Sequence, residues 1–272
     1  MSAIICHYFH GVRSLGEKSS YSKEQQDAFL LGLQGPALFA YSLLFSKAQE
    51  DARDLCNGLS TLSLEVLFRS AQQHKGEEVL SAYCLGLQCY CVLEEEVFPF
   101  IRYSEEMVHR LNPGQTATDS KNQVESALDI ILLRYETAML PTKFDLRKTV
   151  PLDATLCRVV ASFYQQLATE ALGQTVSVEE LESLIADGCK SIGKLNDRTL
   201  MKRQFLKRKE KKQGKTGGLS SLFRNISEDE DYDYANICEN EWQWPLETGE
   251  VHTEQYFDLY EMAVKKAATL FQ

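Results

Sequence analysis

The sequence predicts an all-α fold, a multi-helix bundle, and three observations carry that expectation. Apolar residues recur at helical spacing through most of the chain. Two capping-box signatures, Ser22 with Gln25 and Ser177 with Glu180, stand just ahead of apolar runs. Nowhere do apolar and polar residues alternate in a convincing series of strands. At 272 residues the chain can bury a large core, and a single domain over 1–272 is expected.

In chain order, Met1 to Arg13 is short and apolar and carries His7 and His10. The first capping box opens a helix over about 23 to 31, after which Gly32, Gly35 and Pro36 turn the chain and let backbone come close to a neighbour. From about 47 to 74 there is one long helical pattern with Leu55, Leu59, Leu62 and Val66 on a stripe, ending near Lys75-Gly76. The centre of the chain is 78–138. It holds the apolar run EVLSAYCLGLQCYCVLEEEVFPF, closed by Pro99, then the connector Asn112-Pro113-Gly114 and a second run, KNQVESALDIILLRYETAML. Past Pro141, Leu156, Val159, Val160, Phe163 and Leu167 mark a helix ended by Gly173. The second capping box opens a short one ended by Gly188, and a third run covers about 190 to 211.

The segment 202–215, KRQFLKRKEKKQGK, has eight basic residues against one acid, and EDEDYD at 228–233 adds five acids soon after. This pattern reads as a solvated helix end followed by a mobile basic, glycine-rich loop over 207–224, with opposite charges close enough to screen one another. The basic run is also a docking surface for an acidic partner. Trp242 and Trp244 pin an irregular loop to the body, where it can form one wall of a pocket. A last helix follows, with Phe257, Tyr260, Val264 and Leu270 among its apolar positions.

The formal net charge of −10 argues against nucleic acid or an anionic membrane as the main partner. No apolar run approaches the roughly 20 residues of a membrane span, and the first residues lack the basic and apolar segments of an export signal. A cytoplasmic protein without integral membrane contact is expected. In that setting Cys56, Cys84, Cys89, Cys91 and Cys157, all in helical patterns, read as reduced, buried apolar side chains. Cys89 and Cys91 are two apart, so on a helix they point in different directions and are badly placed to share a metal.

If the two central helices pack together, Tyr90 and Glu94 on the first face Lys121, Glu125 and Asp129 on the second, each set spaced by four residues. A polar face of this kind is where a helical bundle builds a metal or catalytic site. A catalytic zinc takes three ligands from His, Asp, Glu or Cys plus an open position. The candidates here are His7, Glu94, Glu125 and Asp129, with a single imidazole among them, and Lys121 offers a cation where a metal would sit. His10, His74, His109 and His252 have no acidic or thiol partner at ligand spacing and read as surface or loop groups.

Several stretches resemble the zinc-dependent phospholipase C-like family, in particular its bacterial branch of phospholipase C/D domain proteins. They are HYFHG near the start, LGLQGPALFAY at 31–41, AYCLGLQCYCVLEEEVFPF at 82–100, QVESALD at 123–129 and EWQWPLETGE before the last helix. The resemblance spans essentially the whole chain, with framework residues such as Gly32, Gly35, Pro36, Gly86, Leu93 and Pro99. It implies an all-helical fold that holds up to three zinc ions and attacks a phosphodiester with a metal-bound water. Carried over residue by residue, the N-terminal histidine is kept as His7. The aspartate after Gly-Pro becomes Ala37, and the histidine two residues before that proline becomes Gln34. A helix histidine becomes Asn57. In the H-F-A-L-D pattern, Tyr90 and Glu94 replace the histidine and the aspartate, and the next histidine is Phe98. On the partner helix a histidine becomes Lys121, while Glu125 matches and Asp129 survives as a further acid.

The expectation is therefore a degenerate relative that has lost its zinc cluster, with no cofactor and a vestigial cleft lined by His7, Tyr90, Glu94, Phe98, Lys121 and Glu125. It would bind a small molecule or a protein. The competing expectation is a phosphodiester or ester hydrolase with one zinc or manganese ion held by His7, Glu94 and Glu125, with Asp129 as a further ligand, and Tyr90 or Lys121 stabilising the developing negative charge.

Overall fold

Helix-forming sequence dominates the chain, and the computed structural model, which describes residues 3–16, 21–45, 50–74, 78–215, 218–228 and 231–272, folds it into an all-α bundle. In order the helices are α1 (Ile4–Leu15), α2 (Lys23–Gly32), α3 (Ala37–Ser42), α4 (Glu50–Ser60), α5 (Leu64–Gln73), α6 (Glu78–Leu111), α7 (Ala117–Thr137), α8 (Ala154–Leu172), α9 (Val178–Lys194), α10 (Met201–Lys212) and α11 (Tyr256–Ala268). The described strands are two residues each, β1 (Trp242–Gln243) and β2 (Val251–His252), paired antiparallel with Trp242 opposite His252.

The organising element is α6. Its 34 residues make a rod about 51 Å long, and α1, α2, α5, α7, α8 and α11 all pack on it. The α2 crossing is the closest. A Cβ on Gly86 would meet the Phe29 carbonyl oxygen at 2.2 Å, and one on Gly32 would meet the Tyr83 carbonyl oxygen at 2.2 Å. Only glycine lets the two backbones touch there. Around the first half of α6, residues of α3, α4, α5, α8 and α9 form one apolar core. Around its second half, residues of α1, α7, α11 and the Trp242 hairpin form another.

Several boundaries depart from expectation, each for a local reason. Pro99 does not close the first central helix; α6 runs through it to Leu111. Val97 and Phe100 on one side and Val108 beyond are buried, so packing outweighs the hydrogen bond that proline removes. The pattern at 47–74 is two helices. The Thr61 hydroxyl bonds the Asn57 and Gly58 carbonyls, closing α4, and Ser63 caps α5 by accepting from the Val66 N–H. The expected start near 47 and the end at Lys75-Gly76 lie outside the described residues. Gly188 does not end a helix either. α9 continues to Lys194, and the glycine admits α3, since a Cβ there would stand 2.4 Å from the Leu38 carbonyl oxygen.

The run expected at 190–211 is broken between α9 and α10 by Leu200, whose φ of 60° is left-handed. The Lys202 ammonium donates to the Lys194 and Asn196 carbonyls left free at that break. The stretch 207–224, expected as a mobile loop, is helical through Lys212. It then forms a 3-10 turn at Leu219–Leu222 that is tied back, since buried Glu210 accepts from the Ser220 N–H and hydroxyl. Residues 216–217 are outside the described set, Gly217 among them.

Candidate functional site

Three helices bring the predicted groups together: α1 carries His7, α6 carries Tyr90 and Glu94, and α7 carries Lys121, Glu125 and Asp129. His7 is buried, and its Nε2 lies 2.8 Å from Glu94 Oε1. Its ring stacks on Tyr90, centroids 4.7 Å apart and planes 22° from parallel. Gly35, at a φ of 51°, closes on the Tyr90 ring, where a Cβ would come within 2.8 Å. The tyrosine is thus held beside the imidazole and backed by glycine. Burial and the neighbouring Glu94 charge push its hydroxyl well above the usual phenol range.

The carboxylates divide by environment. Burial opposes ionisation of Glu94, yet the hydrogen bond and charge of His7, with Lys121, prevail and hold its carboxyl below the usual range. Glu125 is buried and goes the other way, pushed up to about 7 by desolvation. The Lys121 ammonium stands 3.7 Å from it, longer than a hydrogen bond. Lys121 in turn is raised, chiefly by Glu125, with Glu105 and Glu94 adding to it. Glu105, which the sequence reading overlooked, is buried, its carboxyl raised by desolvation and its Oε2 paired with Arg102. One signal could have found it: eleven residues past Glu94 is three helical turns, the same face of α6.

Two predicted members belong elsewhere. Phe98, one turn beyond Glu94, is 48% exposed and so stands on the solvent side of α6 rather than buried among the other groups. Asp129 is buried, and its partners lie at the start of α1 and on Arg224. Its Oδ1 accepts from the Ile5 and Cys6 N–H groups, each at 2.9 Å, and its Oδ2 takes Arg224 through Nε at 2.9 Å and Nη2. It caps the positive end of α1 and neutralises a buried guanidinium. Arg224 was missed because it falls in the stretch expected to be mobile, with nothing in its spacing to mark it. Of the other replaced positions, Ala37 and Gln34 are buried, the Gln34 amide donating to the Ile4 carbonyl at 3.2 Å, and Asn57 is exposed on α4. His10 corrects the surface reading. It is fully buried between α1 and α11, edge-on to Tyr260, because its place three residues after His7 puts it on the covered side of α1. Desolvation lowers its pKa to about 3.

The donor set does not fit the zinc cluster that the resemblance implies. Among the described residues no three His, Cys, Asp or Glu side chains are grouped to hold a metal ion. The closest approach to a ligand pair is His7 with Glu94, and the remaining carboxylates face an ammonium or a guanidinium. The tryptophan loop is pinned as expected: Trp242 donates from Nε1 to the Glu254 carbonyl at 3.0 Å and stacks on His252. With Tyr103 and Met107 it lines a cavity of about 310 Å³. Against family models, characterised proteins and solved structures, the chain finds no match. No helix among the described residues is long and apolar enough to cross a membrane.

Proposed function

We propose that this chain is a non-catalytic relative of the zinc-dependent phospholipase C-like proteins, working in the cytoplasm as a binding or structural module. One observation carries this reading: the charged groups at the ligand positions answer one another inside the protein. Glu94 takes His7, Glu125 faces Lys121, and Asp129 holds Arg224. A divalent ion would have to displace these pairs and sit beside an ammonium, which Coulomb repulsion opposes. What the site offers instead is a half-open rim of Glu94 and Lys121 over buried Tyr90 and Glu125. That rim suits a small polar molecule, or a protein side chain, able to complement one cation and several carboxyls.

The second reading, a hydrolase with one zinc or manganese ion, is favoured by the 2.8 Å His7–Glu94 contact, two donors already side by side. Elemental analysis of protein purified without chelator separates the two. The expected result is no stoichiometric zinc or manganese and a melting temperature unmoved by EDTA. One equivalent of metal that disappears in His7→Ala would overturn the module reading.

A further inference from the structure

The basic helix α10 offers a site independent of the one above. Along α10, Arg203, Lys207 and Lys211 recur every four residues and so share a face. That face lines a groove of about 300 Å³ against the start of α7, and Lys215 lines it too. Eight residues at about 1.5 Å per residue spread the cations over about 12 Å. No described carboxylate forms an ion pair with any of the four.

Both acids in the groove are engaged with uncharged donors. Asp119 accepts from the Thr116 hydroxyl at 2.7 Å, and Glu210 accepts from the N–H and hydroxyl of Ser220. The neutral groups are committed as well. The Gln115 amide donates to Gln123 at 3.1 Å, the Gln123 amide donates to the Tyr234 hydroxyl at 2.7 Å, and the Ser221 hydroxyl donates to the Gly218 carbonyl at 2.6 Å. Of the acidic run that was expected to screen α10, the described members have partners of their own, Asp231 accepting from the Tyr234 hydroxyl at 3.3 Å. Glu228 pairs with Arg134, and Asp233 accepts from the Ile237 and Cys238 N–H groups. The groove therefore sets four cations, none ion-paired with a described carboxylate, against two carboxylates held by neutral donors. In a chain of net charge −10, such a local excess selects anions by short-range contact rather than by overall field.

We propose that the groove between α10 and the start of α7 binds a ligand carrying more than one phosphate group, held by Arg203, Lys207, Lys211 and Lys215. The length of the cation row, longer than one phosphate can span, favours a phosphate chain or several phosphates on one scaffold. Charge-assisted hydrogen bonds from lysine and arginine supply the affinity.

The test is calorimetric titration of the full chain with inorganic tripolyphosphate. Saturable binding at one site is expected, weakening as salt is raised. Replacing Lys207 and Lys211 together by Gln should weaken it about tenfold or more. Replacing Lys209 and Lys212 by Gln removes the same charge from other faces of α10 and should change it less than about threefold. All four lysines are exposed, so both variants should fold. Absence of saturation, or equal loss in the two variants, would overturn the proposal. Vesicles containing phosphatidylserine form the second arm. Retention on them that survives excess tripolyphosphate and is lost in Phe205→Ala would also overturn it, because exposed Met201 and Phe205 would then be inserting into lipid. Retention abolished by tripolyphosphate would support the groove and extend its ligand to a lipid headgroup.

Discussion

Asp129 is the residue on which the packing of three segments turns. One oxygen meets two N–H groups at the start of α1 and the other meets the Arg224 guanidinium, with both side chains out of solvent. Removing one partner of a buried pair leaves the other charge unanswered, so Asp129→Ala should cost about 3–5 kcal/mol. Urea unfolding measures it directly. Lys121→Met gives the contrast, since Lys121 keeps about a third of its side chain in solvent and should lose no more than about 1 kcal/mol. Comparable losses in the two variants would show that burial does not set the difference. The same residue shows how far side-chain roles were readable. Spacing placed Glu94, Lys121 and Glu125 on facing helices because period alone determines a helix face. It could not tell which way Asp129 would turn, because its partner lies 95 residues on, in a segment with no periodic signal.

Elements were legible where a repeat or a cap writes them, and less so where tertiary contact decides. The Ser22 box starts α2, and Ser177 caps α9 by accepting from the Glu180 N–H, since capping is local chemistry. Pro99 and Gly188 were misread as stops because their local cost is outweighed by contacts made at a distance. Gly86 states this in testable form. Inside a helix, Gly→Ala ordinarily gains about 1 kcal/mol. Here the new methyl would strike the Phe29 carbonyl oxygen of α2 at 2.2 Å, an atom of backbone that cannot swing aside. Gly86→Ala should therefore destabilise the fold by about 1–3 kcal/mol, as overpacking does, lowering the melting temperature in calorimetry. A rise instead would mean that α2 and α6 are not held in backbone contact.

Across the whole molecule, two buried groups on different helices give opposite pH dependences. His10 keeps a pKa of about 3 in the fold against 6.5 when free. Desolvation is the main cause, with the His7 and Arg13 charges adding to it and the Ala263 carbonyl opposing. Its contribution is intact above pH 6.5 and is lost as pH falls toward 3, since the unfolded chain takes up the proton first. Glu125 holds its proton up to about 7 against 4.5, chiefly because burial disfavours its charged form. Its contribution is full below pH 4.5 and is lost as pH rises to 7. Each slope is about 1.4 kcal/mol per pH unit, so between 4.5 and 6.5 the two cancel. Variants uncover them one at a time, and the difference from the parent chain removes every other titration. His10→Phe, which keeps a ring against Tyr260, should gain about 2–3 kcal/mol relative to the parent on going from pH 6.5 to 4.5. Glu125→Gln should gain a similar amount in the reverse direction. Urea unfolding at a series of pH values reads both. Curves that stay parallel to the parent would show that neither group titrates abnormally, and that burial does not set the protonation of His10 and Glu125.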